Sequence, residues 1–130
     1  MTVPMKGPGD REYLAAQRAD LLRFAQGSRH PLGFGWLDAA GALDPDHPVE
    51  LWITCRMTHV VSLGLLAGEP PASGGPDRAA LADLAAHGVT SLSTTLADHE
   101  HGGWFATIGP DGPVDDAKQA YGHADRKSVV

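Results

Sequence analysis

Between Glu50 and Gly64 the chain reads ELWITCRMTHVVSLG, and its apolar residues cover most directions of a helical wheel: Trp52, Ile53, Cys55, Met57, Val60, Val61 and Leu63. A helix with no polar face is normally a buried one. The stretch is therefore expected to be a core helix, started by Pro48 and continuing to Gly68. Arg56 and His59 interrupt it. They stand three residues apart and Trp52 lies four before Arg56, so all three emerge from one face. A guanidinium cannot shed its proton and is costly to bury without a partner. The stripe Trp52, Arg56, His59 is thus expected to line a polar cavity in an otherwise apolar interior.

The flanking patterns predict three further helical segments. Residues 1–9 carry prolines and glycines and read as a loose leader. From Asp10, a natural cap, apolar Tyr13, Leu14, Ala16, Leu21, Leu22, Phe24 and Ala25 follow helical spacing until Gly27. Asp77 is expected to cap another helix reaching Asp98, with Gly88 weakening its middle into a kink. Lys118, Tyr121 and His123 open a last helix. Between these lie HPLGFGWLDAAGALDPDHP and HEHGGWFATIGPDGPVDDAK, where aromatic residues sit among glycines. The first predicts a short β-hairpin or an ordered aromatic loop, turning at Asp38–Gly41, and the second a hairpin turning at Gly109–Gly112. Their shared Gly-Trp pattern hints at a weak internal repeat. The segment Pro70–Pro76 has the composition of a surface linker.

Composition narrows the class. A chain of 130 residues with a net charge of −6 suits one small acidic domain and lacks the basic patch of a nucleic-acid surface. No run approaches the length of a membrane helix, and the N-terminus has no apolar signal core. A soluble, cytoplasmic protein is expected. Cys55 is the only cysteine, so an internal disulfide and a thiol-rich metal site are both excluded.

Several side chains carry two readings. From the residues alone, Arg56 fits a structural ion pair as well as a binding site, and His59 a hydrogen-bonded core histidine as well as a pocket group. Trp52 fits a core position as well as an aromatic platform in a pocket. The run Asp98, His99, Glu100, His101 tempts a metal reading, but no third distant ligand is identifiable and zinc needs at least three; no metal is expected. Asp98 and Glu100 are expected to finish a helix and start the hairpin, His101 to border a pocket mouth, and Lys118 and His123 to pair with neighbours.

GFGWLD, then PVELWITCRMTHV, HGV, EHGGWF and K-x-x-YGHA, taken in that order, closely resemble the N-acylglucosamine 2-epimerase superfamily. The resemblance covers Asp10 to Ala124. It implies an all-α fold, part of an (α/α)6 toroid of helical hairpins with short β-loops, from an enzyme several times longer. It also implies sugar chemistry: aldose–ketose isomerisation, mannose to fructose being favoured, or C2 epimerisation, by proton transfer through an enediol. Such transfer suits histidines, whose ordinary pKa is about 6.5, and needs no cofactor. By motif, Arg56 and Tyr121 become substrate-binding residues, with His59 and Trp52 beside them on the helix face. The family's acid/base histidines are expected beyond the end of this chain. A reading from a different class is a non-catalytic helical module that binds carbohydrate or a partner protein.

The C-terminal residues 125–130, DRKSVV, spell what a common sequencing adapter encodes in one frame, and the last helix is expected to be cut short of the apolar residues that would dock it. The stretch 10–124 is therefore expected to be the N-terminal part of a larger domain and 125–130 an artefactual tail. Alone, the chain is expected to be poorly soluble and inactive.

Overall fold

The computed structural model of the chain describes residues 7, 9–67 and 75–127. The Asp10 cap is present: its carboxylate accepts from the backbone N–H groups of Glu12 and Tyr13 and opens α1 (Arg11–Gln26). Gly27 closes that helix. The expected docking of α1 is only partly made. Ala19 and Leu22 are buried, whereas Leu14, Leu21 and Phe24 stay half or more exposed.

The segment after α1 folds into two small ladders. β1 (Arg29–His30) pairs antiparallel with β2 (Gly33–Phe34), and β3 (Trp36–Leu37) with β4 (Leu43–Asp44). The predicted turn is there. Asp38 Oδ1 accepts from the N–H groups of Ala40 and Ala42, and Gly41 takes the left-handed φ of +86° that closes it.

Pro48 does not start the next helix. Val49 and Glu50 form β5 (Val49–Glu50), paired with β6 (Thr107–Gly109), which in turn pairs with β7 (Gly112–Asp115). Only then does α2 (Leu51–Leu66) begin, its first N–H donating to the Ala106 carbonyl at 3.0 Å rather than to a capping side chain. Gly68 and most of the Pro70–Pro76 linker lie outside the described residues, as do nearly all of the leader and residues 128–130.

Asp77 caps α3 (Arg78–Ser93) through the Ala80 N–H. The helix runs through Gly88 without a break and stops at Thr94, short of the predicted Asp98. Gly88 is a close-approach point rather than a kink. A Cβ there would sit 2.9 Å from Thr58 Cβ and inside the Thr58 hydroxyl. The last helix, α4 (Ala120–Lys127), has eight residues.

The expectation of an all-α, (α/α)6-type fold is corrected by these elements. The described residues hold four helices and seven short strands in three small antiparallel sheets, a mixed α/β arrangement. The glycine-rich aromatic segments are not loop decoration. β5 and β6 join stretches of chain nearly sixty residues apart and bracket the start of α2. Nor is the Gly-Trp repeat reproduced. Trp36 lies in a strand, whereas Trp104 makes an isolated bridge to Ala97.

α2 is the spine. Its Leu51 and Cys55 join Val49, Leu92, Leu96 and Ile108 in one cluster, while its Val61 joins Leu22, Phe34, Leu81 and Leu84 in another. Burial pushes the Cys55 thiol up to about 12, with the nearby Asp125 carboxylate adding to the effect, so it packs as a neutral apolar group. Among the described residues no helix is long and apolar enough to cross a membrane.

Candidate functional site

The helix read as buried all round has one open face. Leu51, Thr54, Cys55, Thr58 and Val61 point inward; Arg56, His59, Val60 and Leu63 are exposed and Trp52 is half-buried. The sequence stripe Trp52, Arg56, His59 is therefore one face, as its spacing requires, but it fronts a surface and not an internal cavity. That removes the difficulty of burying a guanidinium.

α4 crosses this face. Gly122 packs so closely on Leu51 that a Cβ would come within 2.8 Å of Leu51 Cδ2, and this brings the preceding Tyr121 beside Arg56. The guanidinium lies 5.5 Å from the Trp52 ring and 5.4 Å from the Tyr121 ring. Its Nη2 donates to the Tyr121 hydroxyl and its Nε to Asp125 Oδ2, the latter at 3.2 Å. Exposed cation–π contacts are worth about 0.5–1 kcal/mol each, and a surface ion pair about 0–1 kcal/mol. The cluster is thus held by geometry more than by energy, and a ligand can compete for it. His59 is exposed on the same face and takes no part in these contacts.

So the structure gathers Trp52, Arg56 and Tyr121 and leaves His59 apart. Sequence reasoning missed Asp125, which it assigned to the tail; the residue continues α4 one turn beyond Tyr121. Spacing of four on a helix was the available signal.

A second polar group sits nearby. An open cavity of about 430 Å³ is lined by Asp98, Glu100, His101, Phe105, Pro113, Asp116 and Lys118. His101 lines this cavity and not the Arg56 face, and Asp98 and Glu100 do not finish a helix, since α3 has already ended at Ser93. Asp98 instead organises a turn. Its Oδ1 accepts from the N–H groups of Glu100 and His101, and its Oδ2 from Lys118 Nζ at 2.6 Å. The Lys118 hydrogen bond, followed by that of the His101 N–H, holds the Asp98 carboxyl well below the usual carboxylate range. Its folded state therefore binds a proton less readily than the unfolded chain. The stabilisation is complete above the ordinary value of 3.8 and is lost as pH falls below it. Asp98→Asn is expected to lower the melting temperature at neutral pH and to flatten its decline on acidification. Equal acid slopes in thermal melts of the two proteins would refute this. Among the described residues no three histidine, cysteine or carboxylate side chains converge as a metal site requires.

With this geometry in view, comparison with known proteins is decisive. The profile described as N-acylglucosamine 2-epimerase (GlcNAc 2-epimerase) matches residues 33–125. The chain belongs to that family. A protein named D-mannose isomerase from Thermobifida fusca is 44% identical over 126 residues, covering 95% of this chain and 29% of its own length. Another of that name, from Pseudomonas cannabina pv. alisalensis, is 38% identical over 121 residues, covering 92% of this chain and 27% of its own. The chain thus spans less than a third of these relatives. The family match takes in all of Trp52, Arg56, His59, Tyr121 and Asp125.

Proposed function

We propose that this chain supplies the substrate-binding arginine of a sugar isomerase or epimerase that acts through an enediol. Interconversion of mannose and fructose is the favoured reaction, with C2 epimerisation its alternative. The observation that carries this reading is the exposed guanidinium of Arg56, flanked by two aromatic rings and bonded to a phenol, within the region matched by the family.

Each member of the cluster has a part suited to its chemistry. Arg56 presents several fixed N–H donors to sugar oxygens, including the one that gains negative charge as the C2 proton leaves. Tyr121 accepts from Arg56, which leaves its own O–H free to donate to a second sugar oxygen. The Trp52 ring offers an apolar platform for a sugar face. His59 extends the polar face by one turn. The groups that remove and return the carbon-bound proton come from outside these 130 residues, so the chain by itself turns nothing over. The step needs no metal or organic cofactor, because the carbonyl beside the reacting carbon delocalises the electron pair.

The test is solvent exchange. This chain is inserted in place of the matching segment of the Thermobifida fusca relative, and mannose is incubated with the hybrid in deuterium oxide. Deuterium is expected at C2 of recovered mannose, with fructose as the product of isomerisation or a C2 epimer as that of epimerisation. The 130-residue chain alone is expected to give none. A hybrid that melts cooperatively like its parent yet exchanges no deuterium would contradict the proposal, and would favour a binding module.

A further inference from the structure

We propose that the turn Asp98–Trp104 is a positioning device for Tyr121: it grips the chain on both sides of that residue, at Lys118 just before α4 and at His123 within it, and so sets where the phenol meets Arg56. The inference rests on the sugar-binding reading of Arg56 and Tyr121.

α4 has eight residues, too few for a helix to be stable by itself. Tyr121 is 57% exposed, so little packing of its own fixes its ring. Its place is inherited from the helix, which Gly122 seats on Leu51 and which two polar attachments flank, one just before its first turn and one within it. Lys118, three residues before Tyr121, donates to Asp98 at 2.6 Å while its ammonium lies 4.5 Å from the Phe105 ring. The Asp98 side chain is only 6% exposed and is itself fixed by the two turn N–H groups, so this anchor does not swing.

His123, two residues after Tyr121, makes the other attachment. Its Nδ1 is 2.9 Å from the Gln119 carbonyl and its Nε2 is 3.3 Å from the Trp104 backbone N–H. Nδ1 must donate and Nε2 must accept, which defines a neutral ring of one tautomer. The ring also meets Trp104 edge-on at 5.4 Å. Gly103, at φ +74°, leaves the space: a Cβ there would fall 2.7 Å from His123 Nε2. Trp104 in turn donates its indole N–H to the Leu92 carbonyl of α3 at 2.7 Å. The register of Tyr121 on Arg56 is therefore referred to α3 through Trp104, and to the buried Asp98 through Lys118. None of Asp98, Lys118 or His123 contacts Arg56. They act through Tyr121, as positioning residues.

The experiment uses the hybrid in which this chain replaces the matching segment of the Thermobifida fusca relative, and two readouts, mannose titration and the proton shifts of the Arg56 side chain, which ring currents from Trp52 and Tyr121 displace. Lys118→Met is expected to weaken mannose binding about tenfold, the scale on which misplacing a contact by a fraction of an ångström acts, and to remove the Tyr121 share of the Arg56 shift. Lys118→Arg restores both. In a Tyr121→Ala background Lys118→Met has nothing left to misplace and costs no further affinity. Equal losses in both backgrounds, or an unchanged Arg56 shift in Lys118→Met, would overturn the proposal. The shift needs no sugar, so it decides positioning by itself. Asp98→Asn, which keeps a turn acceptor, repeats the test should Lys118→Met fold poorly. Arg56→Ala separates the two ideas. If it leaves mannose binding intact, the sugar-binding reading fails; if it abolishes binding while Lys118→Met changes nothing, only the positioning role fails.

Discussion

Arg56→Ala in the hybrid enzyme is expected to lower deuterium exchange at C2 of mannose by about 100-fold or more, while the protein's melting temperature stays nearly unchanged. The two halves of this expectation have separate physical grounds. Removing a donor aimed at developing oxyanion charge costs about 10²–10³ in rate in comparable acyl-transfer sites. Stability is spared because the side chain is 53% exposed and its ion pair with Asp125 is of the solvent-screened kind, worth about 0–1 kcal/mol. Arg56→Lys should recover little of the rate. An ammonium is a point charge on a flexible stem and cannot keep the planar fork between two rings. A fall in exchange matched by a fall in melting temperature would mean that Arg56 is structural, and full exchange in Arg56→Ala would remove it from the site.

The largest effect on stability is expected at Gly88, far from any sugar. Gly88→Ala should destabilise the fold by about 3 kcal/mol or more, the upper end of the usual cost of overpacking. The added methyl would overlap the Thr58 hydroxyl, and Thr58 cannot yield easily. It is fully buried, and its Oγ1 donates to the Thr54 carbonyl at 2.7 Å. The contact lies where α2 and α3 pack, so relief would require the two helices to separate along the spine of the core. Thr58→Ala alone loses one hydrogen bond and one buried methyl, about 1–2 kcal/mol together. The double mutant should be more stable than the sum of the singles predicts, because trimming Thr58 removes the overlap with its hydroxyl and γ-methyl and leaves only the 2.9 Å approach of the two Cβ atoms. Urea denaturation of the four proteins measures the coupling; strict additivity would contradict the packing account.

Gly88 also shows what a single sequence can and cannot disclose. Its helix propensity was readable and pointed to a kink; its partner thirty residues away was not, and the partner decides its role. The same division holds elsewhere. The caps at Asp10 and Asp77 and the turn at Asp38–Gly41 rest on chemistry between near neighbours, and they stand as their residues predict. Pro48 rests on a competition that is not local. Val49 and Glu50 could extend a helix or pair as strand, and Thr107 and Ile108 draw them into a sheet. Such pairing is why the fold is mixed and not all-α.

Periodicity likewise told which residues of α1 and α2 share a face, but not what covers it. Leu14, Leu21 and Phe24 keep helical spacing and remain exposed. Arg56 was placed on the correct face and in the wrong surroundings, since an apolar wheel implies burial only where neighbours close around it. Tyr121 became legible through a family motif, not through physics of its own segment. Asp125 was hidden because its residues read as a tail.

The most direct test of the central claim is a titration of the hybrid enzyme with mannose, followed by the side-chain resonances of the three tryptophans that this chain contributes. Sugar binding on the α2–α4 face predicts that the Trp52 indole shifts together with Arg56 and Tyr121, while Trp36 and Trp104 stay still. Shifts confined to Trp36, or none at Trp52 at sugar concentrations that saturate the hybrid enzyme, would contradict it.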